Sequence, residues 1–187
     1  PQPRRVLMVG LSIGTWLALV NEFPGVEQVD VVEINPGYLQ AAQAYPAQAR
    51  ALKDPRVNVV VDDARRWQRQ HPGKQYDLII MNTTWHWRSN ISLLLSTEFL
   101  QLMKVHMAPG AVLSFNATGS ADAFYTASKV FAHAYRYVNF VYAADFDFRA
   151  RKDTAATRQL YQSLTLGGTP LFAANSSAIE RFVTKPF

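Results

Sequence analysis

Four consecutive apolar residues, Val6-Leu7-Met8-Val9, run straight into Gly10-Leu11-Ser12-Ile13-Gly14, and apolar residues then recur at helical spacing over 15–23. Side chains of a strand alternate between the two faces of its sheet, so an uninterrupted apolar run has to be covered on both. Pro24-Gly25 stops the helix, and residues 29–34 supply a second run of the same kind, closed by Asn35-Pro36-Gly37. A strand, a tight glycine turn, a helix and a second buried strand make a parallel βαβ unit. That unit commits the chain to a sheet with helices packed over its faces.

The alternation continues along the chain. Residues 37–52, rich in Ala, Gln and Leu, read as a helix; Asp54-Pro55 is a turn, and 57–61 a third strand. A short helix over 64–70 ends at Pro72-Gly73, and 76–81 is a fourth strand. Residues 82–95 have no clear period. Ser96 is a good N-cap for a helix to Met107, ended by Pro109-Gly110. Residues 111–115 form a fifth strand, 120–134 a helix, 137–143 a sixth strand, 154–164 a helix and 170–174 a last strand, antiparallel if it lies at an edge. This pattern predicts an α/β fold, a doubly wound, mostly parallel seven-stranded sheet with helices on both faces. With 49% hydrophobic and 18% charged residues, the 187 residues suit one globular domain spanning 1–187. The chain opens on Pro1 rather than methionine and enters its first strand within a few residues, as a domain excised from a longer protein would.

Several function classes are excluded. Cysteine is absent, so disulfides, thiolate metal sites and cysteine nucleophiles are too. The four histidines show no ligand spacing, and no metal is expected. No apolar run reaches the roughly 20 residues of a membrane span, and residues 1–30 show no signal-peptide pattern. The net charge of +5 comes from scattered basic residues, which read as a solvated surface, so no nucleic-acid partner is expected. A cytoplasmic location is the expectation.

In an open parallel sheet the ligand crevice lies at the carboxyl ends of the strands, where the winding reverses. After the first strand, Gly10 and Gly14 let the backbone turn and approach a ligand, with Ser12 between them, although a ligand-free turn would also choose glycine. Glu33 ends the second strand, where an acid can accept hydrogen bonds from ribose hydroxyls or stand solvated at a loop mouth. Asp62, Asp63 and Ala64 follow the third strand. Asp63 can accept from the exocyclic amine of adenine, or it can cap the next helix. The dinucleotide fingerprint wants three glycines, but its middle one is Ser12 here, and Trp16 follows closely after Gly14. The expected ligand is therefore an adenosine carried on sulfur, a nucleoside thioether or sulfonium, which needs no phosphate cradle.

The ordered set formed by residues 6–14, 29–34, Asp54-Pro55-Arg56-Val57, 60–64 and 76–81 resembles the spermidine/spermine synthase family. Those aminopropyltransferases have the Rossmann-like fold of class I S-adenosylmethionine-dependent methyltransferases. The tail from Leu166 to Val183 resembles the end of spermidine synthase-like domains fused to membrane segments in bacteria. The resemblance implies a donor, S-adenosylmethionine or its decarboxylated form, held by Gly10, Ser12, Gly14, Glu33, Asp62, Asp63 and Ala64. It implies a small-molecule amine or other acceptor, a homodimer, and a membrane region upstream in the full-length protein.

Two positions depart from the family. Ile13 stands where the glycine loop carries an acid, and Asn82 where strand four ends in an aspartate that receives the attacking amine's proton. An asparagine can orient an amine but cannot take its proton. Asp62, Asp122, Asp145 or His86 are the candidates to replace that base. In the segment 82–95, Trp85 and Trp87 are candidates to sandwich a substrate and Arg88 to hold a carboxylate, or the tryptophans simply cover the sheet end. Aminopropyl transfer, methyl transfer on the same fold, and a domain that has lost its reaction but keeps a ligand or partner are the three functions left open.

Overall fold

The computed structural model describes residues 2–82, 90–166, 168–172 and 177–185. Strand β1 (Arg5–Val9) leads through the glycine turn into α1 (Thr15–Asn21) and β2 (Gln28–Glu33). Helices α2 (Pro36–Gln43) and α3 (Pro46–Leu52) precede β3 (Val57–Val61), and α4 (Ala64–Gln70) connects to β4 (Tyr76–Met81). Then come α5 (Thr97–Val105), β5 (Met107–Asn116), α6 (Ala121–Val130), and the hairpin β6 (His133–Tyr137) and β7 (Phe140–Ala144). The tail holds α7 (Ala155–Ser163), β8 (Thr165–Leu166), β9 (Thr169–Pro170) and α8 (Ser177–Thr184).

Seven strands form one sheet in the order β3-β2-β1-β4-β5-β7-β6. The pairs β1–β2, β2–β3, β1–β4 and β4–β5 are parallel, while β7 runs antiparallel to both neighbours. The expected mostly parallel, doubly wound sheet is present. Strand alternation divides the interior into two cores. Leu7, Val9, Ile79 and Met81 face α4, α5 and α6, where Trp67, Phe99, Leu100, Met103 and Ala127 pack. Val6, Met8, Val29, Val31 and Ile80 face α1, α2 and α3, where Leu17, Ala18, Ala42 and Ala51 pack.

Local departures from the sequence reading have identifiable causes. The helix expected over 37–52 is two helices, because Pro46 holds Tyr45 extended at φ −111° and ψ 124°. The helix expected over 120–134 stops at Val130; Phe131 is extended, and 133–137 is β6, pairing Tyr135 with Tyr142 on β7. Alternating His133, Tyr135 and Tyr137 was the strand signal there, hidden by the helix-forming alanines between and before them. Pro109-Gly110 does not separate helix from strand but lies inside β5, where the register with β4 shifts between Tyr76 and Leu78. The strand expected over 170–174 is not the seventh strand of the sheet. Thr169–Pro170 pairs with Thr165–Leu166 in a separate two-stranded ribbon, and 173–174 lie outside the described residues. Among the described residues no helix is long and apolar enough to cross a membrane.

Toward the amino ends of the strands a polar network ties β2 to β4. Asp30, fully buried, accepts from Lys74 Nζ at 2.8 Å, Tyr76 Oη at 2.8 Å and Asn58 Nδ2 at 2.9 Å. Burial pushes its carboxyl up, but the bonds from Lys74, Asn58 and Tyr76 outweigh that and hold it below the ordinary aspartate value. The opposite end of the sheet is left for the site.

Candidate functional site

From β1 the chain winds outward to β2 and β3, then returns to β4 on the other side of β1. The connections leaving β1 and β4 therefore part, and a crevice opens at the switch point. A cavity of about 600 Å³ occupies it. One side is formed by Gly10 and Ser12 after β1, Glu33 and Ile34 at β2, and Asp62, Asp63, Ala64 and Arg65 after β3. The far wall carries Asn82 after β4, Asn90, Ile91 and Leu94, Asn116 and Thr118 at the end of β5, and Asn139 from the β6–β7 turn.

The glycine turn is folded around Glu33. This carboxylate is 4% exposed, and its Oε2 accepts from Leu11 N at 2.6 Å and Ser12 N at 3.3 Å. Its Oε1 accepts from Asn35 N at 2.8 Å. A carboxylate offers about four acceptor positions, so roughly one, on Oε1, is left for a ligand. Gly10 has φ +89°, donates to Val32 O at 2.9 Å, and a Cβ placed on it would stand 3.5 Å from the Asn82 carbonyl oxygen. The backbone of Asn82 is held beside it, donating to Val9 O at 3.2 Å. Ser12 also adopts the left-handed region, at φ +53°.

Gly14 is not on the cavity wall. It precedes α1 at φ +83°, and a Cβ there would lie 3.3 Å from Gln48 Cβ. Helix packing and backbone conformation account for that glycine, so the structure does not bring it together with the other residues expected to hold a ligand.

Both acids after β3 are engaged. Asp63 caps α4, accepting from Arg65 N at 2.8 Å, and its oxygens also take Arg65 Nε at 3.0 Å and an Arg65 terminal nitrogen at 2.5 Å. The hydrogen-bonded Arg65 guanidinium holds the Asp63 carboxyl down to about 2, against the opposing effect of burial. Asp62 accepts from Asp63 N at 2.6 Å and Arg66 Nε at 2.6 Å. One acceptor position remains on Asp63 Oδ2, since Oδ1 already receives two donors. Ala64 lies buried at the cavity floor.

Of the other sequence candidates, Trp85, His86, Trp87 and Arg88 lie outside the described residues. Asp122 is in the exposed first turn of α6, and Asp145 pairs with Lys104 Nζ at 2.8 Å; neither lines the cavity. Ile13, 40% exposed, is not on the wall either. The sequence reading missed Ile34, Tyr38, Arg65, Asn116, Thr118 and Asn139. Asn116 and Thr118 end and follow the fifth strand, the same kind of position that marks Gly10, Glu33, Asp62 and Asn82 at the first four. Asn139 required the β6–β7 hairpin, which the helix expected over 120–134 concealed.

Residues 1–143 match the spermine/spermidine synthase domain. The polyamine aminopropyltransferase of Alkalilimnicola ehrlichii is 35% identical over 85 residues, covering 45% of this chain and 30% of that enzyme. The chain thus spans less than a third of the length of the curated relatives it matches first. A spermidine synthase solved in complex with the transition-state analogue AdoDATO superposes on the whole chain with a TM-score of 0.79 at 18% identity, covering 68% of that structure. Human methyltransferase-like protein 13, solved in complex with SAH, gives 0.66 at 21% identity over 100% of this chain and 84% of that one. At those identities the likeness establishes the Rossmann-like methyltransferase fold. With the matched domain extending from the first residue to β7, the chain belongs to the spermine/spermidine synthase family.

Proposed function

We propose that the cavity holds the nucleoside of decarboxylated S-adenosylmethionine and that the chain transfers the donor's aminopropyl group to an amine. One observation carries this reading. The Leu11 and Ser12 N–H groups, the turn donors that face a pyrophosphate in dinucleotide-binding folds, are taken by the Glu33 carboxylate. A phosphate brought to this turn would meet a buried carboxylate, whereas a sulfonium brings a positive charge to it. Family membership and the polyamine aminopropyltransferase relatives support the same reading.

The residues fit such a donor. Glu33 keeps an Oε1 position for a ribose hydroxyl, Asp63 keeps an Oδ2 position for the adenine amine, and Ile34, 69% exposed beside Glu33, offers apolar surface to the base. The donor supplies a carbon activated by positively charged sulfur. Asn82, after β4, accepts an N–H of the acceptor amine and orients its lone pair. The new C–N bond forms as the C–S bond breaks; the C–S electron pair leaves on sulfur as a neutral thioether, and the extra proton passes to water. Within this reading the domain works in the cytoplasm as a homodimer, with a membrane region elsewhere in a longer protein.

Incubating the full-length protein with the decarboxylated donor and a panel of amines tests it. Formation of methylthioadenosine together with an aminopropylated amine is expected, and none from S-adenosylmethionine itself. Methyl transfer from S-adenosylmethionine, with release of S-adenosylhomocysteine, would overturn the assignment.

A further inference from the structure

Among the described residues the far wall of the cavity is neutral. Asn82, Asn116, Thr118 and Asn139 stand along it, from β4, the end of β5 and the β6–β7 turn. Asn116 Oδ1 is fixed by Thr118 N at 2.9 Å, whereas the Asn82 and Asn139 amides make no side-chain hydrogen bond among the described residues. Those amides have both donors and acceptors to give to a bound molecule.

Among the described residues, negative charge on the cavity is confined to the other side. The carboxylates that reach the cavity, Glu33, Asp62 and Asp63, sit at the ends of β2 and β3, and each is already engaged. Glu33 binds three backbone N–H groups, while Asp62 and Asp63 pair with Arg66 and Arg65. Residues 83–89, Thr-Thr-Trp-His-Trp-Arg-Ser, add no acid to the segment that follows Asn82. An ammonium group laid against the far wall would lose water and gain amide oxygens without a counter-charge, an unfavourable exchange. A hydroxyl both donates and accepts, as the amides do, and loses little in the same exchange.

We propose that the acceptor is a monoamine whose far end is a neutral hydrogen-bonding group, a hydroxyl being the simplest, and that diamines and polyamines are poor acceptors. This rests on the adenosyl-donor reading above and names the substrate class of the same site. The attacking nitrogen is bound uncharged, with its lone pair directed at the donor carbon, and the far hydroxyl exchanges hydrogen bonds with the far-wall amides. After transfer, the proton of the new ammonium goes to water.

The matched pair 4-aminobutan-1-ol and 1,4-diaminobutane tests it, since the two differ only in the far group. The full-length protein is first titrated calorimetrically with methylthioadenosine and then, saturated with it, with each amine. Binding of the amino alcohol roughly tenfold tighter is expected. Equal affinities, a preference for the diamine, or binding of neither amine would overturn the acceptor class while leaving the donor reading standing. Failure of methylthioadenosine to bind a folded sample would instead overturn the donor reading, and it is seen in the first titration. Asn82→Asp is expected to reverse the preference; an unchanged preference would show that wall charge does not set it. Should Asn82→Asp fail to fold, Asn139→Asp, in an exposed turn, gives the same measurement.

Discussion

A carboxylate that is 4% exposed and accepts three backbone N–H groups holds the Gly10 turn against β2 whether or not a ligand is bound. Glu33→Gln puts an amide NH2 where an oxygen accepted, facing another donor, and should destabilise the fold by about 1–3 kcal/mol in thermal melts. Loss of donor affinity in that variant alone would not separate a collapsed turn from a lost ribose contact. Deoxy analogues separate them. Wild-type protein should bind either 2′-deoxy- or 3′-deoxy-methylthioadenosine roughly tenfold more weakly than the parent, and in Glu33→Gln that penalty should vanish. A penalty that persists in the variant would remove Glu33 as the ribose acceptor. The identity of Glu33 as a site residue was legible from its place after a buried strand. Two of its three backbone partners were not, because they depend on how a turn 21 or 22 residues earlier closes in space.

Helix α4 shows what an element adds to a residue. Asp63 caps the helix and pairs with Arg65, so its carboxyl titrates at about 2, below the ordinary aspartate value. The folded state therefore binds this proton more weakly than the unfolded chain. Its stabilisation is present above about pH 4 and is lost as pH falls toward 2. Asparagine caps as well as aspartate, so thermal melts of wild type and Asp63→Asn should differ by the Arg65 ion pair alone, up to about 1 kcal/mol at pH 5, and the difference should shrink through that window. A constant difference down to pH 2 would show that the ion pair contributes nothing. The sequence offered Asp63 as an adenine ligand first and as a helix cap second; the fold uses it as the cap, with one acceptor position to spare. Elsewhere, element type was legible where apolar runs were continuous, as in β1, β2 and β4, and failed in 133–137, where Ala132 and Ala134 read as helix before pairing with β7 decided for strand.

At the scale of the molecule, the parallel core and its winding follow from patterns that survive in any context, which is why the sheet and the switch-point crevice were legible. The charge distribution around the crevice was not. It depends on which acids find partners: Asp62 and Asp63 are taken by arginines of α4, and Asp30 is locked away with Lys74 and Tyr76 at the other end of the sheet. Among the described residues, what remains is a cavity with its carboxylates on the β2–β3 side, amides opposite, and turn donors already closed by Glu33. Under the proposed function this cavity takes an adenosine carried on sulfur and not on a pyrophosphate. Calorimetric titration of the full-length protein with methylthioadenosine, decarboxylated S-adenosylmethionine and NAD tests it directly. The expected result is saturable binding of the two sulfur nucleosides, with stabilisation of about 2.7 kcal/mol at a hundredfold excess over Kd, and no heat from NAD. A folded sample that binds NAD, or that binds neither sulfur nucleoside, would contradict it.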